Sequence, residues 1–329
     1  MKRQSGRIRV IVIDEDRIDG VSWWRNARPF MAMEKMYGGA VEVLRRSDRV
    51  DVRELMTADV VVRFRPTSQQ TLDWMHLVKS LDVRVILDID DDLWHIPPQH
   101  PLYGDYLRWG GRLHEIYGMA DAIWTSTEQL RYVVGDMGRA ECMPNAILPE
   151  ELPDAPTPWK SIAAWRGNDK QVADVASDFA KYWYAESQDK YDTWVFKGYL
   201  PALPHGPNVR FEPKEDVLSY FLNLRRGFAN VLWKPLEENL FNDSKSNIAW
   251  IEATMSGAVC VTNYAGGANP AKDGWEYALQ DFPTDPEEVA DVWAASRDHI
   301  LEKYNLEEIT RRRYKSICRL VGVTSPVMV

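Results

Sequence analysis

The chain has 329 residues, 40 Lys and Arg against 49 Asp and Glu, and a formal net charge of −9, which excludes the overall positive field of a protein that binds nucleic acid without sequence preference. Hydrophobic residues make up 45% and charged residues 27%, the composition of a globular protein rather than a disordered or fibrous one. The length exceeds what one hydrophobic core usually serves, so two domains are expected.

Apolar, β-branched runs alternate with helical stretches, the pattern of parallel α/β sheets. The first half predicts strands over residues 8–13, 60–64, 83–87 and 122–124 and helices over 28–37, 69–80 and 107–117. These form a first Rossmann-like domain ending near residue 148. The proline-rich stretch PNAILPEELPDAPTP, residues 144–158, carries neither period and reads as an interdomain linker, with the linker between the two domains set at 149–160. From residue 161 a second Rossmann-like domain is predicted, with strands over 161–165, 193–196, 209–211, 229–233 and 258–262. Its helices fall at 172–184, 217–224 and 244–257. Helices over 287–299 and 306–321 end the chain, the last expected to pack back on the first domain. Apolar runs such as VIVI and VVV are too short to span a bilayer, and MKRQSGRIRV lacks the apolar centre of a signal peptide, so a cytoplasmic protein is expected. Cys142, Cys260 and Cys318 lack metal-ligand spacing and read as reduced, packed thiols.

In open α/β sheets ligands bind beyond the carboxyl ends of the strands, so strand-end residues are the candidates for function. The first strand ends at Asp14 and leads to a loop with Gly20, Trp24 and Arg25, which offers stacking and forked hydrogen bonds to an acceptor or phosphate, or else covers a core edge. The run VRVILDIDDDLWHIP places Asp88, Asp90, Asp91 and Asp92 where an apolar strand stops, with His95 close behind. Such carboxylates bind a cation, raise the pKa of one member for acid–base chemistry, or cap the next segment in water. In IAAWRGNDK, Arg166, Gly167 and Lys170 form a cationic strand-to-helix turn able to approach a diphosphate.

The segment FNDSKSNIAWIEATMSGAVCVTN is the most informative. Asn242, Asp243 and Ser244 are all good N-cap residues, and Ile248, Ile251 and Met255 recur at helical spacing, so a helix is predicted to open near Ser244 and close at Gly257. Lys245 and the helix N-terminus favour a phosphate, and Glu252, almost two turns on and about 10 Å away, is placed to accept from ribose hydroxyls. The plainer alternative is an amphipathic helix with a solvated Lys and Glu. Residues 1–65 hold fourteen Lys and Arg against ten Asp and Glu, with Arg45, Arg46, Arg49 and Arg53 close together. They suggest either a polyanionic partner or, more simply, a solvated helix face.

Taken with DGVSWWRNARP, VVVRFRP, ADAIWTSTEQL and KPLEENLFNDSKSNIAWIEATMSGAVCVTN, the chain resembles GT-B glycosyltransferases, in particular the family-four-like group with bacterial and phage relatives. The resemblance implies a GT-B fold, two Rossmann-like domains facing each other across a cleft. It also implies transfer of a sugar from a nucleoside-diphosphate sugar, a UDP-sugar being the expected donor, to an acceptor hydroxyl, with retention of configuration. Arg166, Gly167, Lys170, Asn242, Lys245, Ser246, Asn247 and Glu252 would then hold the donor. Asp90, Asp91 and His95 would serve catalysis, and Gly20, Trp24 and Arg25 the acceptor. No metal is required, since fixed cations can meet the leaving-group charge. A second family Glu, eight positions before the ribose Glu, is Ser244 here, which leaves the contact to the transferred sugar unassigned. The acceptor expected is a glycan or, closely behind, a hydroxymethylated base in phage DNA. Two other readings start from the same residues. One is a haloacid-dehalogenase-like phosphatase with Asp88 as nucleophile and Asp90 as acid; the other is a nucleotide-sugar-binding protein without turnover.

Overall fold

The fold was described in a computed structural model for residues 6–13, 20–46, 50–135, 139–167, 174, 177–203, 205–264 and 274–324. Lys170, Asp14 and Arg49 lie outside these residues. Strands β1 (Ile8–Ile13), β2 (Val41–Arg46), β3 (Val60–Phe64), β4 (Arg84–Ile89), β5 (Ala122–Thr125) and β6 (Ala140–Cys142) form one parallel sheet in the order β2-β1-β3-β4-β5-β6. Strands β7 (Ile162–Arg166), β8 (Thr193–Lys197), β9 (Val209–Glu212), β10 (Val231–Trp233) and β11 (Val259–Val261) form a second, in the order β11-β10-β7-β8-β9. A parallel sheet is covered on both faces, and the inner strands accordingly have apolar centres. Val10, Ile11, Val12 and Ile13 are all buried, as are Val60, Val61 and Val62.

The chain divides into two compact units, Met1–Trp94 with Gly104–Ala146 and Leu306–Val329, and His95–Tyr103 with Ile147–Asn305. In the first, the helix Leu306–Leu320 packs on the helix Arg28–Tyr37, with Tyr314 stacked on Tyr37 at 3.9 Å between ring centroids. In the second, the proline-rich stretch is anchored rather than loose. The amide of Leu148 donates to Glu151 Oε2 at 2.7 Å, and that of Thr157 to the Gly257 carbonyl at 2.8 Å.

Two strands escape the sequence pattern, β2 and β6, and both are sheet edges. β2 reads VEVLRR and buries only Val41 and Val43, because an edge strand can do without the apolar centre that an inner one needs. Arg45 and Arg46 of the basic group therefore end a strand, Arg53 lies on the short helix Val52–Leu55, and Arg46 Nε donates to Glu54 Oε1 at 2.8 Å. Among the described residues no helix is long and apolar enough to cross a membrane.

Chain order reverses beside the first strand of each sheet, between β1 and β3 and between β7 and β10. A crevice at the carboxyl ends of those strand pairs is where the architecture places a ligand.

Candidate functional site

In the second unit, β7 ends at Arg166, and Trp165 is in register with Trp233, the last residue of β10. Arg166 and Lys234 therefore leave neighbouring strands side by side at the switch point. The segment after β10 folds into a short helical turn, Leu240–Asp243, capped by Asn239, whose side chain accepts from the Asn242 amide at 2.9 Å. The next helix spans Ile248–Met255, with Asn247 at its N-cap position. It thus opens later than predicted: Ser244 is the wholly buried residue closing the preceding turn, and Lys245 and Ser246 lie in the loop between the two helices. Lys245 and Glu252 do not share a helix face.

The amphipathic alternative also gives way, because every residue from Ala249 to Met255 is buried, Glu252 included. A helix apolar on all sides belongs inside a domain. Trp250 donates to Ser296 Oγ at 3.0 Å, and Trp293 donates to the Thr254 carbonyl at 3.0 Å, fixing the helix against Pro286–Lys303. Gly257 ends it at φ +71°, where an added Cβ would sit 2.5 Å from the Thr157 amide nitrogen.

The buried carboxylate of Glu252 is met by Arg166, whose Nη1 lies 3.0 Å from Oε2. The Arg166 guanidinium also covers the Tyr220 ring, and burial, followed by the Glu252 charge, pushes the Tyr220 phenol well above its ordinary range. Asp174 organises the loop side: its Oδ1 accepts from Asn242 Nδ2 at 2.8 Å and from the Glu237 amide at 3.2 Å, and its Oδ2 lies 3.9 Å from Lys245 Nζ. Lys245 also sits over the Phe241 ring. Asn242 is thus a buried tie between Asp174 and the Glu237 carbonyl, and it fixes the loop that presents Lys245. Gly167 continues the sheet edge, its amide donating to the Lys197 carbonyl at 3.2 Å. Among the described residues this group holds the cations Arg166, Lys234 and Lys245 against the anions Glu252 and Asp174. With a helix N-terminus beside them, the net charge suits an anion.

In the first unit the acidic run sorts into three separate fates. Asp88, on β4, is wholly buried between Arg25 Nε at 2.8 Å and Arg313 Nη2 at 3.2 Å. Asp90 and Asp91 are both held by Arg65, through Nε and Nη2 respectively. Asp92 accepts from the Trp94 amide at 3.0 Å and closes the turn. Burial pushes the Asp90 carboxyl up to about 6, against the opposing pull of Arg65 and with the help of Asp91. Arg65 adopts φ +41°, the left-handed region that residues other than glycine rarely enter, and it stands at the end of β3 beside that sheet's own switch point. His95 is exposed and falls in the segment that packs with the second unit.

Three expectations are corrected here. Trp24 and Arg25 are not on a loop: Gly20 opens a helical turn, Gly20–Ser22, and both residues belong to a π-helical turn, Trp23–Ala27. Their side chains are buried, Trp24 under the Arg28 guanidinium and Arg25 on Asp88, Asn145 and the Met143 carbonyl, so an acceptor does not meet them on a surface. A phosphatase nucleophile at Asp88 is likewise contradicted, since both its oxygens face guanidiniums inside the core. Arg65, Lys234, Asp174 and Tyr220 escaped sequence reasoning. The first two are legible afterwards as cations directly following apolar strands; Asp174 and Tyr220 carry no sequence signal that sets them apart.

No protein-family model matches the chain, and no curated protein is similar to it in sequence. Solved structures do match over nearly its whole length. A glycosyltransferase from Rickettsia africae superposes with a TM-score of 0.61 at 7% identity, covering 97% of this chain and 100% of its own. HepE from Anabaena, solved in complex with UDP, gives 0.58 at 10% identity, covering 95% and 100%. An α,α-trehalose-phosphate synthase (UDP-forming) from Burkholderia vietnamiensis gives 0.55 at 13% identity, covering 96% and 100%. At such identities the likeness is one of fold: the chain has the GT-B fold, built of two Rossmann-like units, each with its own parallel sheet.

Proposed function

We propose that the chain is a glycosyltransferase that moves a sugar from a nucleoside-diphosphate sugar, a UDP-sugar first of all, to an acceptor hydroxyl. The observation that carries this is the ion pair of Arg166, at the carboxyl end of β7, with Glu252 inside the buried helix, beside the loop before that helix in which Lys245 faces Asp174. The UDP complex of HepE, and the UDP-forming reaction named for the trehalose-phosphate synthase, support the choice of nucleotide. On donor binding, Arg166 exchanges its contact with Glu252 for the diphosphate, and Glu252 turns to the ribose hydroxyls. Lys245, with Ser246 and Asn247 at the helix start, receives the phosphates. These fixed donors meet the negative charge that grows on the leaving diphosphate, commonly the largest catalytic contribution.

In the first unit, Asp90 is the group suited to take a proton from an acceptor hydroxyl, with Asp91 beside it on the same arginine. The family resemblance implies retention, whereas a carboxylate acting as base on the acceptor hydroxyl would suit inversion. The anomeric configuration of the product, read by NMR, separates the two. A glycan is favoured as acceptor over a hydroxymethylated DNA base, because the net charge is −9 and Arg46 of the basic group is already paired with Glu54. The reading is tested by incubating the protein with a panel of nucleotide sugars and candidate acceptors and measuring nucleoside-diphosphate release. Release with one donor, reduced in Lys245→Ala, is expected. A protein that binds a donor yet never turns it over is the binding-only alternative.

A further inference from the structure

We propose that Lys234 is a further donor-binding residue, a diphosphate ligand that takes up a proton as the nucleotide binds; this rests on the donor-site reading above. Its position comes from the sheet. β10 is flanked by β7 and β11, so its carboxyl end faces the switch-point crevice, and the register of Trp233 with Trp165 sets Lys234 next to Arg166. The backbone there is fixed, the Lys234 amide donating to the Val261 carbonyl at 2.8 Å.

The three cations of the site are not equally compensated. Arg166 has Glu252 at 3.0 Å, and Lys245 has Asp174 at 3.9 Å. Among the described residues no ion pair holds Lys234, a half-buried residue. The groups that act on it are Lys245 from the loop before the helix, Asp174, Glu252 from within the helix and Cys260 on β11; Arg166 ends the neighbouring strand. Loss of hydration, followed by repulsion from Lys245, brings its pKa down to about 8, which Asp174 and Glu252 only partly oppose. An arriving diphosphate supplies the missing negative charge.

The free site holds Lys234 partly neutral at pH 8 and the occupied site holds it charged, so binding is strongest below that pH and weakens as the pH rises above it. The fall is up to about tenfold per pH unit, until the pKa of the bound form is reached.

The test is titration calorimetry of the full chain with UDP at pH 7, 8 and 9, each in two buffers of different ionisation enthalpy. The expected result is uptake of about half a proton per UDP at pH 8, rising toward one at pH 9. Lys234→Arg, which keeps the charge but does not titrate in this range, is expected to bind with no extra proton and with affinity level from pH 7 to 9. Lys234→Gln is expected to bind at least about tenfold more weakly at pH 7, with far-UV circular dichroism confirming the fold. UDP binding by the unaltered chain without proton uptake, or with uptake that survives in Lys234→Arg, overturns the role of Lys234 and leaves the donor site standing. No UDP binding at any pH overturns the donor site itself, and Lys234 with it.

Discussion

Arg166 Nη1 and Glu252 Oε2 lie 3.0 Å apart, joining the end of β7 to the inside of a buried helix across 86 positions of sequence. The pair has two consequences that can be separated. Glu252 is nearly enclosed whereas Arg166 keeps about a third of its side-chain surface, so the arginine can recover water when its partner is removed. Glu252→Gln is therefore expected to lower unfolding stability by no more than about 1 kcal/mol in urea titration. Its UDP affinity is expected to fall at least about tenfold, because the amide offers the ribose a weaker acceptor.

The first unit carries a stronger test of buried charge. Asp88 faces Arg25 and Arg313, all three enclosed, with Arg313 also over the Trp124 ring and donating to the Arg25 carbonyl at 2.9 Å. Removal of the single anion leaves two guanidiniums facing each other, so Asp88→Ala is expected to cost about 3–5 kcal/mol in denaturant unfolding, or to prevent folding. Arg313→Met keeps the aliphatic stem on Trp124 and leaves one balanced pair, so its loss is expected to be clearly smaller. Equal losses in the two variants would show that the electrostatic account of this cluster is wrong.

Asp90 sets the expected acid limb of activity. Burial raises its carboxyl to about 6, and only the ionised form accepts a proton, so kcat/KM is expected to fall as pH drops through about 6. Arg65 holds that carboxylate in its charged form, so Arg65→Gln is expected to move the limb to higher pH. An acid limb that stays in place in Arg65→Gln would detach Asp90 from the observed titration. Asp90→Asn is expected to remove the limb together with most of the turnover.

Gly257 tests the helix end. At φ +71°, with the Thr157 nitrogen 2.5 Å from where a Cβ would lie, Gly257→Ala combines an unfavourable backbone conformation with a steric clash. A loss of about 1–3 kcal/mol is expected in thermal unfolding.

Inner strands and capped helices are legible in the sequence because each carries one physical signature. The VIVI run of β1 has to be apolar on both faces, and the helix Gln69–Ser80 is announced by Ser68, whose side chain accepts from the Thr71 amide at 3.1 Å. Edge strands escape because β2 needs only Val41 and Val43 inside, and its arginines read as a charge run. The candidate site was legible as residue types at strand ends, Arg166 and the acids after β4 among them. Which of these face a ligand was not legible, because that depends on partners distant in sequence. Arg25 reads as an acceptor contact until Asp88, 63 residues on, is seen to hold it in the core. Lys234 reads as an ordinary residue before a proline until the strand order sets it beside Arg166.

The central claim is that the second unit holds a nucleoside diphosphate on Arg166 and Lys245, and UDP titration of the unaltered chain beside Arg166→Ala and Lys245→Ala tests it most directly. Saturable one-to-one binding is expected in the unaltered chain, weakened at least about tenfold in each variant while circular dichroism stays the same. The same affinity in all three proteins, or no UDP binding by the unaltered chain, would contradict it.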